Sequence, residues 1–213
     1  MFDTASLIIF ITAALALLLA PGPAVLYIVA RSLEQGRMAG IVSAFGIALG
    51  AVVHVIFAAL GLSALLLKSA LAFSLVKYMG AAYLIYIGIQ TLRKKTELNE
   101  VTEIETMSYS RIFTQGFIVN LLNPKTALFF LAFLPQFVSV ERGVVAIQII
   151  LLGTIFVGLA IVSDSLYALI AGTARHLLVG NIAVARSQKY MSGSIYILLG
   201  LTTALSGNSK SIG

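Results

Sequence analysis

The sequence predicts an all-α integral membrane protein of six transmembrane helices, arranged as two inverted three-helix repeats. Three observations carry that reading. Hydrophobic residues make up 60% of the 213-residue chain and charged residues only 10%, against about 25% in an ordinary soluble domain. A soluble globule of this length could not hide so much apolar surface. Six apolar runs exceed the roughly 17 residues a helix needs to cross a bilayer. Finally, the second half of the chain repeats landmarks of the first half in the same order.

The spans, read between charges, are Ser6–Ala30, Ile41–Leu67, Ala70–Leu92, Ile112–Ser139, Gly143–Ala171 and Tyr190–Ser206. The first is too long, and its start too poor in Lys and Arg, for a cleavable signal peptide. Between the third and fourth lies the long polar stretch Arg93–Ser110, with four glutamates beside a basic cluster, which reads as a solvated loop. The chain is then a single transmembrane domain over 1–213. Repeat one covers about 6–92, a cytoplasmic loop 93–111, and repeat two 112–206.

Lys and Arg in the connections set the orientation. Arg31, Arg37, Arg93, Lys94, Lys95, Arg111, Arg175, Arg186 and Lys189 fall on one side. Lys68, Lys77, Arg142 and Lys210 fall on the other. The richer side is expected in the cytoplasm, which places both termini outside. The net charge of +6 follows from the same bias and does not call for nucleic acid, because no basic run interleaves with aromatics. The chain has no cysteine, which excludes disulfides, zinc thiolates and iron–sulfur clusters. No P-loop, metal-ligand cluster or paired catalytic residues are readable, so no enzyme activity, cofactor or metal is expected.

Laid over the first half, the second brings Pro124 onto Pro21, Ala127 onto Ala24, Gly143 onto Gly40 and Gly153 onto Gly50. Farther along, Lys189-Tyr190-Met191 meets Lys77-Tyr78-Met79 and Gly200 meets Gly88. An odd number of spans per unit inserts the second copy upside down. Inverted repeats are typical of secondary transporters, which place substrate between the copies. Duplication in a scaffold or channel would leave the same trace.

Both repeats carry a break at matching places: Pro21-Gly22-Pro23 in the first span, Asn123-Pro124-Lys125 in the fourth. Proline removes an N–H and clashes with the preceding turn, and a freed carbonyl in hydrocarbon needs another partner. Asn before Pro is the signature of a helix restarting. Two restarted helices facing each other would turn N–H groups and partial positive charge toward one point, a nest for a carboxylate that Lys125 would strengthen. The plainer reading is a pair of kinks that only shape packing.

Four ionisable residues lie within predicted spans: His54, Lys77, Lys125 and Asp164. A charge at the bilayer centre costs at least about 2.5–3.5 kcal/mol. Asp164, with Tyr167 one turn on, is the single carboxylate in any span. At depth it can carry a proton or hold an ammonium group; near the cytoplasmic end of the fifth span it would be an ordinary interfacial acid. Lys77 can snorkel to the surface. His54 stands alone on an apolar face, either a satisfied core histidine or a proton relay. Asn120, one turn before Asn123, can bond across helices or face substrate. Gly46 and Gly50 form a small-xxx-small face that lets the second span approach a neighbour closely, and such faces would permit a homodimer.

These motifs together resemble the LysE/RhtB group of the lysine exporter superfamily. The resemblance rests on Pro21-Gly22-Pro23, on Gly40, Gly46 and Gly50, and on Lys77–Gly88 with its Gly-Ala-Ala-Tyr-Leu core. It continues through Gln115-Gly116-Phe117 to Asn120, Asn123-Pro124-Lys125 and Pro135-Gln136-Phe137, and ends on Asp164 with Tyr167. It spans about residues 6–206 and implies export of amino acids or close derivatives from the bacterial cytoplasm, across the plasma membrane, driven by protons. One buried carboxylate argues against a dibasic substrate and for a neutral amino acid. The substrate-binding residues expected on this basis are Pro21, Gly22, Pro23, Asn120, Asn123, Pro124, Lys125, Asp164 and Tyr167, with Asp164 coupling protons. A passive channel or ion exporter is the alternative.

Overall fold

The computed structural model describes residues 2–68 and 107–173, with separate positions between 75 and 93 and between 190 and 204. All regular structure among the described residues is helical, and the chain is an all-α membrane protein. Most of the predicted spans Ala70–Leu92 and Tyr190–Ser206 lies outside the described residues. So do loop positions 94–106 and the landmarks Lys77, Gly88, Arg175, Arg186, Lys189 and Gly200.

Helix α1 (Thr4–Leu19) is capped by Asp3, whose carboxylate accepts from the Ser6 N–H at 2.7 Å and the Ser6 hydroxyl at 2.8 Å. It ends at Ala20, which turns extended (φ −73°, ψ 116°) because a residue before proline avoids the helical region. Helix α2 (Pro23–Gln35) restarts with Gly22 as its cap and Pro23 in its first turn, where a missing N–H is harmless. The two axes differ by 50°. Gly36, at φ +84°, turns the chain directly into α3 (Arg37–Lys68); only glycine holds that conformation cheaply.

The second half also opens on a broken helix. Helix α4 (Tyr109–Leu121) starts on a Ser108 cap and stops at Leu122. Helix α5 (Pro124–Leu128) restarts on Asn123, whose side chain accepts from the Lys125 N–H at 3.1 Å. It runs on through a π-helical turn, Phe129–Phe133, and a 3-10 turn, Leu134–Phe137, a widening and tightening that hydrophobic spacing does not announce. The bend across this break is 46°. Helix α6 (Val145–Thr173) is a long, continuous apolar rod. With each bent pair taken as one crossing, the described residues supply up to four spans. They match the first, second, fourth and fifth of the predicted spans, with ends shifted by a few residues.

The core is aromatic. Phe129 meets Phe10, Phe130, Phe133 and Phe156 with ring centres 4.8–5.9 Å apart, a spacing at which tilted and edge-on rings attract. Outward faces of α3 and α6 carry exposed Phe45, Phe57, Leu60, Ile147, Val162 and Ile170, as a lipid-facing surface requires.

Small residues weld α3 to α4. A methyl group on Gly46 would run into the Phe113 carbonyl oxygen, and one on Gly50 would meet the Phe117 carbonyl and Asn120. The Gly46–Gly50 face is thus spent inside the chain rather than left for a second copy. Gly46→Ala is expected to destabilise the protein by about 1–3 kcal/mol, the range for overpacking a tight contact. Gly158, whose added methyl meets nothing within 4 Å, is the control. Thermal unfolding in detergent should drop for Gly46→Ala and hold for Gly158→Ala; equal behaviour would refute the close approach.

Two glutamine side chains clasp backbone at turns. Gln35, at the end of α2, donates to the Met107 carbonyl at 2.9 Å and accepts from the Met107 N–H at 2.9 Å. Gln148, on α6, accepts from the Ser139 N–H at 3.2 Å and donates to the Ser139 carbonyl at 2.8 Å and the Gly143 carbonyl at 3.1 Å. Beside the first clasp, Arg31 pairs with Glu34 at 2.7 Å and lies over the Tyr27 ring.

Candidate functional site

The breaks in α1–α2 and α4–α5 meet in the interior. Between them lies a cavity of about 20 Å³, little more than the space one water needs (about 10–15 Å³). Its apolar wall comes from Leu17, Leu18, Val25, Ile47, Ala51 and Phe156, and its polar wall from Asn120, Asn123, Lys125, Thr126 and Asp164. The first turn of α2 contributes Ala24 and Val25, and the restart of α5 contributes Asn123, Lys125 and Thr126. Residues from the start of both restarted helices therefore border one space.

The polar wall is almost fully buried. Lys125 is 7% exposed, Asp164 3%, Asn120 3% and Asn123 2%. Lys125 on α5 and Asp164 on α6, a base and an acid able to carry opposite charges, line this one cavity. The ammonium of Lys125 also donates to the Ala20 carbonyl at 2.6 Å. It thus bonds the C-terminal end of α1 and does not simply add charge to the helix restart.

Asn120 is the hub of a hydrogen-bond chain. Its amide donates to the Ile47 carbonyl at 2.8 Å, and its side-chain oxygen accepts from Thr126 at 2.9 Å and from Asn123 at 3.3 Å. Both ends of the Asn120 side-chain amide are engaged, which fixes its orientation.

The expected site residues separate into three groups. Asn120, Asn123, Lys125 and Asp164 line the cavity. Pro21 and Gly22 are buried at the first break without forming its wall, while Pro23 and Pro124 face outward on their helix restarts. Tyr167 stands apart from the wall, and its hydroxyl donates to the Leu19 carbonyl at 2.8 Å. Asp164 is buried among protein side chains. Sequence reading passed over Thr126, although its place three residues after the Asn123 cap is where a polar side chain can share the cap. It left the role of His54 open. His54 meets the Asn120 carbonyl at 3.0 Å and lies parallel to the Phe130 ring. Among the described residues no group of three His, Asp or Glu side chains could hold a metal ion.

A family model described as LysE type translocator matches residues 15–207. An uncharacterized membrane protein of Vibrio cholerae is 32% identical over 187 residues, 87% of this chain and 90% of that one. A homoserine/homoserine lactone efflux protein of Salmonella typhimurium is 31% identical over 186 residues, 87% of this chain and 89% of that one. The uncharacterized membrane protein YrhP of Bacillus subtilis is 31% identical over 210 residues, 94% of this chain and 99% of that one. No solved structure matches.

Proposed function

The chain belongs to the LysE type translocator family, and from that premise we propose that it exports neutral amino acids or their close derivatives in exchange for protons. Membership makes it a multi-pass membrane transporter of small amino-acid-like molecules. The finer reading rests on the buried, oppositely charged Lys125 and Asp164 in one cavity between two broken helices. In this reading the substrate carboxylate sits between the helix restarts at Pro23 and Pro124, near Lys125. Its ammonium group goes to Asp164, which otherwise takes a proton. Proton and substrate then compete for one carboxylate, and that competition couples the two fluxes.

The two bent pairs belong, on this proposal, to inverted repeats over 6–92 and 112–206, joined by a cytoplasmic loop, in a bacterial inner membrane with both termini outside. Homoserine and its lactone, named for the Salmonella relative, are the first compounds to try. They are neutral overall or carry one ammonium group, which a single carboxylate can serve. A cavity of about 20 Å³ is too small for even the smallest amino acid, so the described conformation is a closed one and transport requires it to widen.

The test is uptake of labelled homoserine, threonine, leucine and lysine into everted membrane vesicles with an acidic lumen. Saturable uptake of neutral compounds that collapses with the proton gradient is expected. Unsaturable flux indifferent to the gradient would favour a passive pore and overturn the proposal.

A further inference from the structure

Each broken span lacks hydrogen bonds that proline cannot supply. Pro23 has no N–H to offer the Leu19 carbonyl, and Pro124 none for the Asn120 carbonyl. The Asn120 oxygen keeps a tightened bond from the Asn123 N–H at 3.0 Å, and His54 Nε2 approaches its second lone pair at 3.0 Å. A carbonyl only accepts, so the imidazole carries its proton on Nε2 and donates. The Leu19 oxygen takes the Tyr167 hydroxyl at 2.8 Å.

The donors cross over. Tyr167 sits on α6, in the half of the chain opposite the α1–α2 break; His54 sits on α3, opposite the α4–α5 break. The arrangement is reciprocal, although the two donors do not occupy matching positions in the repeat. Neither side chain belongs to the cavity wall.

We propose that His54 and Tyr167 are positioning residues, each supplying from a long helix of one half the hydrogen bond that proline removes from the broken span of the other. This rests on the export reading for its functional consequence. The bonds hold the helix restarts at the angle that aims them into the cavity. They also tie each break to the opposite half when the site opens, because separation would strip the Leu19 carbonyl of its Tyr167 donor and leave the Asn120 carbonyl with the Asn123 bond alone. Tyr167 thus acts on substrate through the backbone of the break, without touching it.

His54→Phe keeps a ring against Phe130 and removes the donor. His54→Gln returns an N–H donor of similar reach. Tyr167→Phe removes one hydroxyl alone. Two readouts apply in lipid nanodiscs and vesicles: backbone hydrogen exchange over residues 120–128 and 16–24, and the kinetics of efflux. The His54→Phe change is expected to speed exchange over 120–128 and lower maximal efflux by about tenfold each, the ratio matching one hydrogen bond, with the half-saturating concentration moving less than about twofold. His54→Gln should return both to within about threefold of wild type by restoring that bond. Tyr167→Phe, which only removes a donor, should speed exchange over 16–24 and lower maximal efflux by about tenfold each.

Wild-type exchange in His54→Phe, or a Gln variant as impaired as the Phe variant, overturns the proposal. If wild type moves none of the compounds offered, the export reading fails, and hydrogen exchange alone still decides whether these donors hold the breaks.

Discussion

Asp164→Asn is expected to uncouple efflux from the proton gradient and to weaken substrate binding by one to two orders of magnitude. The side chain is 3% exposed and lines the cavity, so the replacement keeps shape and hydrogen-bonding capacity while removing both the charge and the exchangeable proton. A hydrogen bond to a charged group contributes about 1.5–3 kcal/mol. Losing it at the substrate ammonium raises the half-saturating concentration by about 10- to 150-fold. The decisive readout is the response to the gradient: uptake into everted vesicles should proceed at the same slow rate with or without an acidic lumen. A variant that still responds to the gradient as wild type does would place proton coupling elsewhere.

Lys125→Met is the second large effect, and it acts on folding as well as binding. Removing the ammonium leaves the Ala20 carbonyl without the 2.6 Å bond it receives at the α1 break. It also leaves Asp164 in the interior without the cation whose field it shares. Stranding one member of a buried charge pair costs about 3–5 kcal/mol. The thermal midpoint in detergent should therefore fall steeply, and substrate affinity with it. Lys125→Met combined with Asp164→Asn should be more stable than Lys125→Met alone, because the stranded charge is gone. A double-mutant cycle whose single effects simply add would show that the two groups do not interact.

Much of this site was legible because proline chemistry is local. Pro21, Pro23 and Pro124 state by themselves where helices stop and restart, and Asn123 before Pro124 names its own cap. The apolar run around Asp164 marked it as a candidate but was long enough to leave it either buried or interfacial. What the sequence hid was long-range or collective. His54 finds its acceptor 66 residues away, and nothing in an isolated imidazole names a carbonyl on another helix. Lys125 reaches Ala20 across 105 residues, so its bond to α1 is invisible locally even though its charge is not. The π turn at Phe129–Phe133 depends on how five phenylalanines interlock, a property of packing that no period in the sequence records. The exposed faces of Pro23 and Pro124 were missed for a related reason. Matched prolines mark the breaks, but helix phase decides that the caps Gly22 and Asn123 turn inward.

The Gln35 clasp on Met107 bears on how the polypeptide is assembled. A side-chain amide holding a backbone N–H and carbonyl at 2.9 Å each is a neutral, two-pronged fastening that salt does not weaken. It joins the end of α2 to the start of α4 without relying on the covalent thread between residues 94 and 106. Two separately translated fragments, split inside that stretch, are therefore expected to reunite in one bilayer, and co-expressed halves that fail to copurify would show that the peptide thread is needed there.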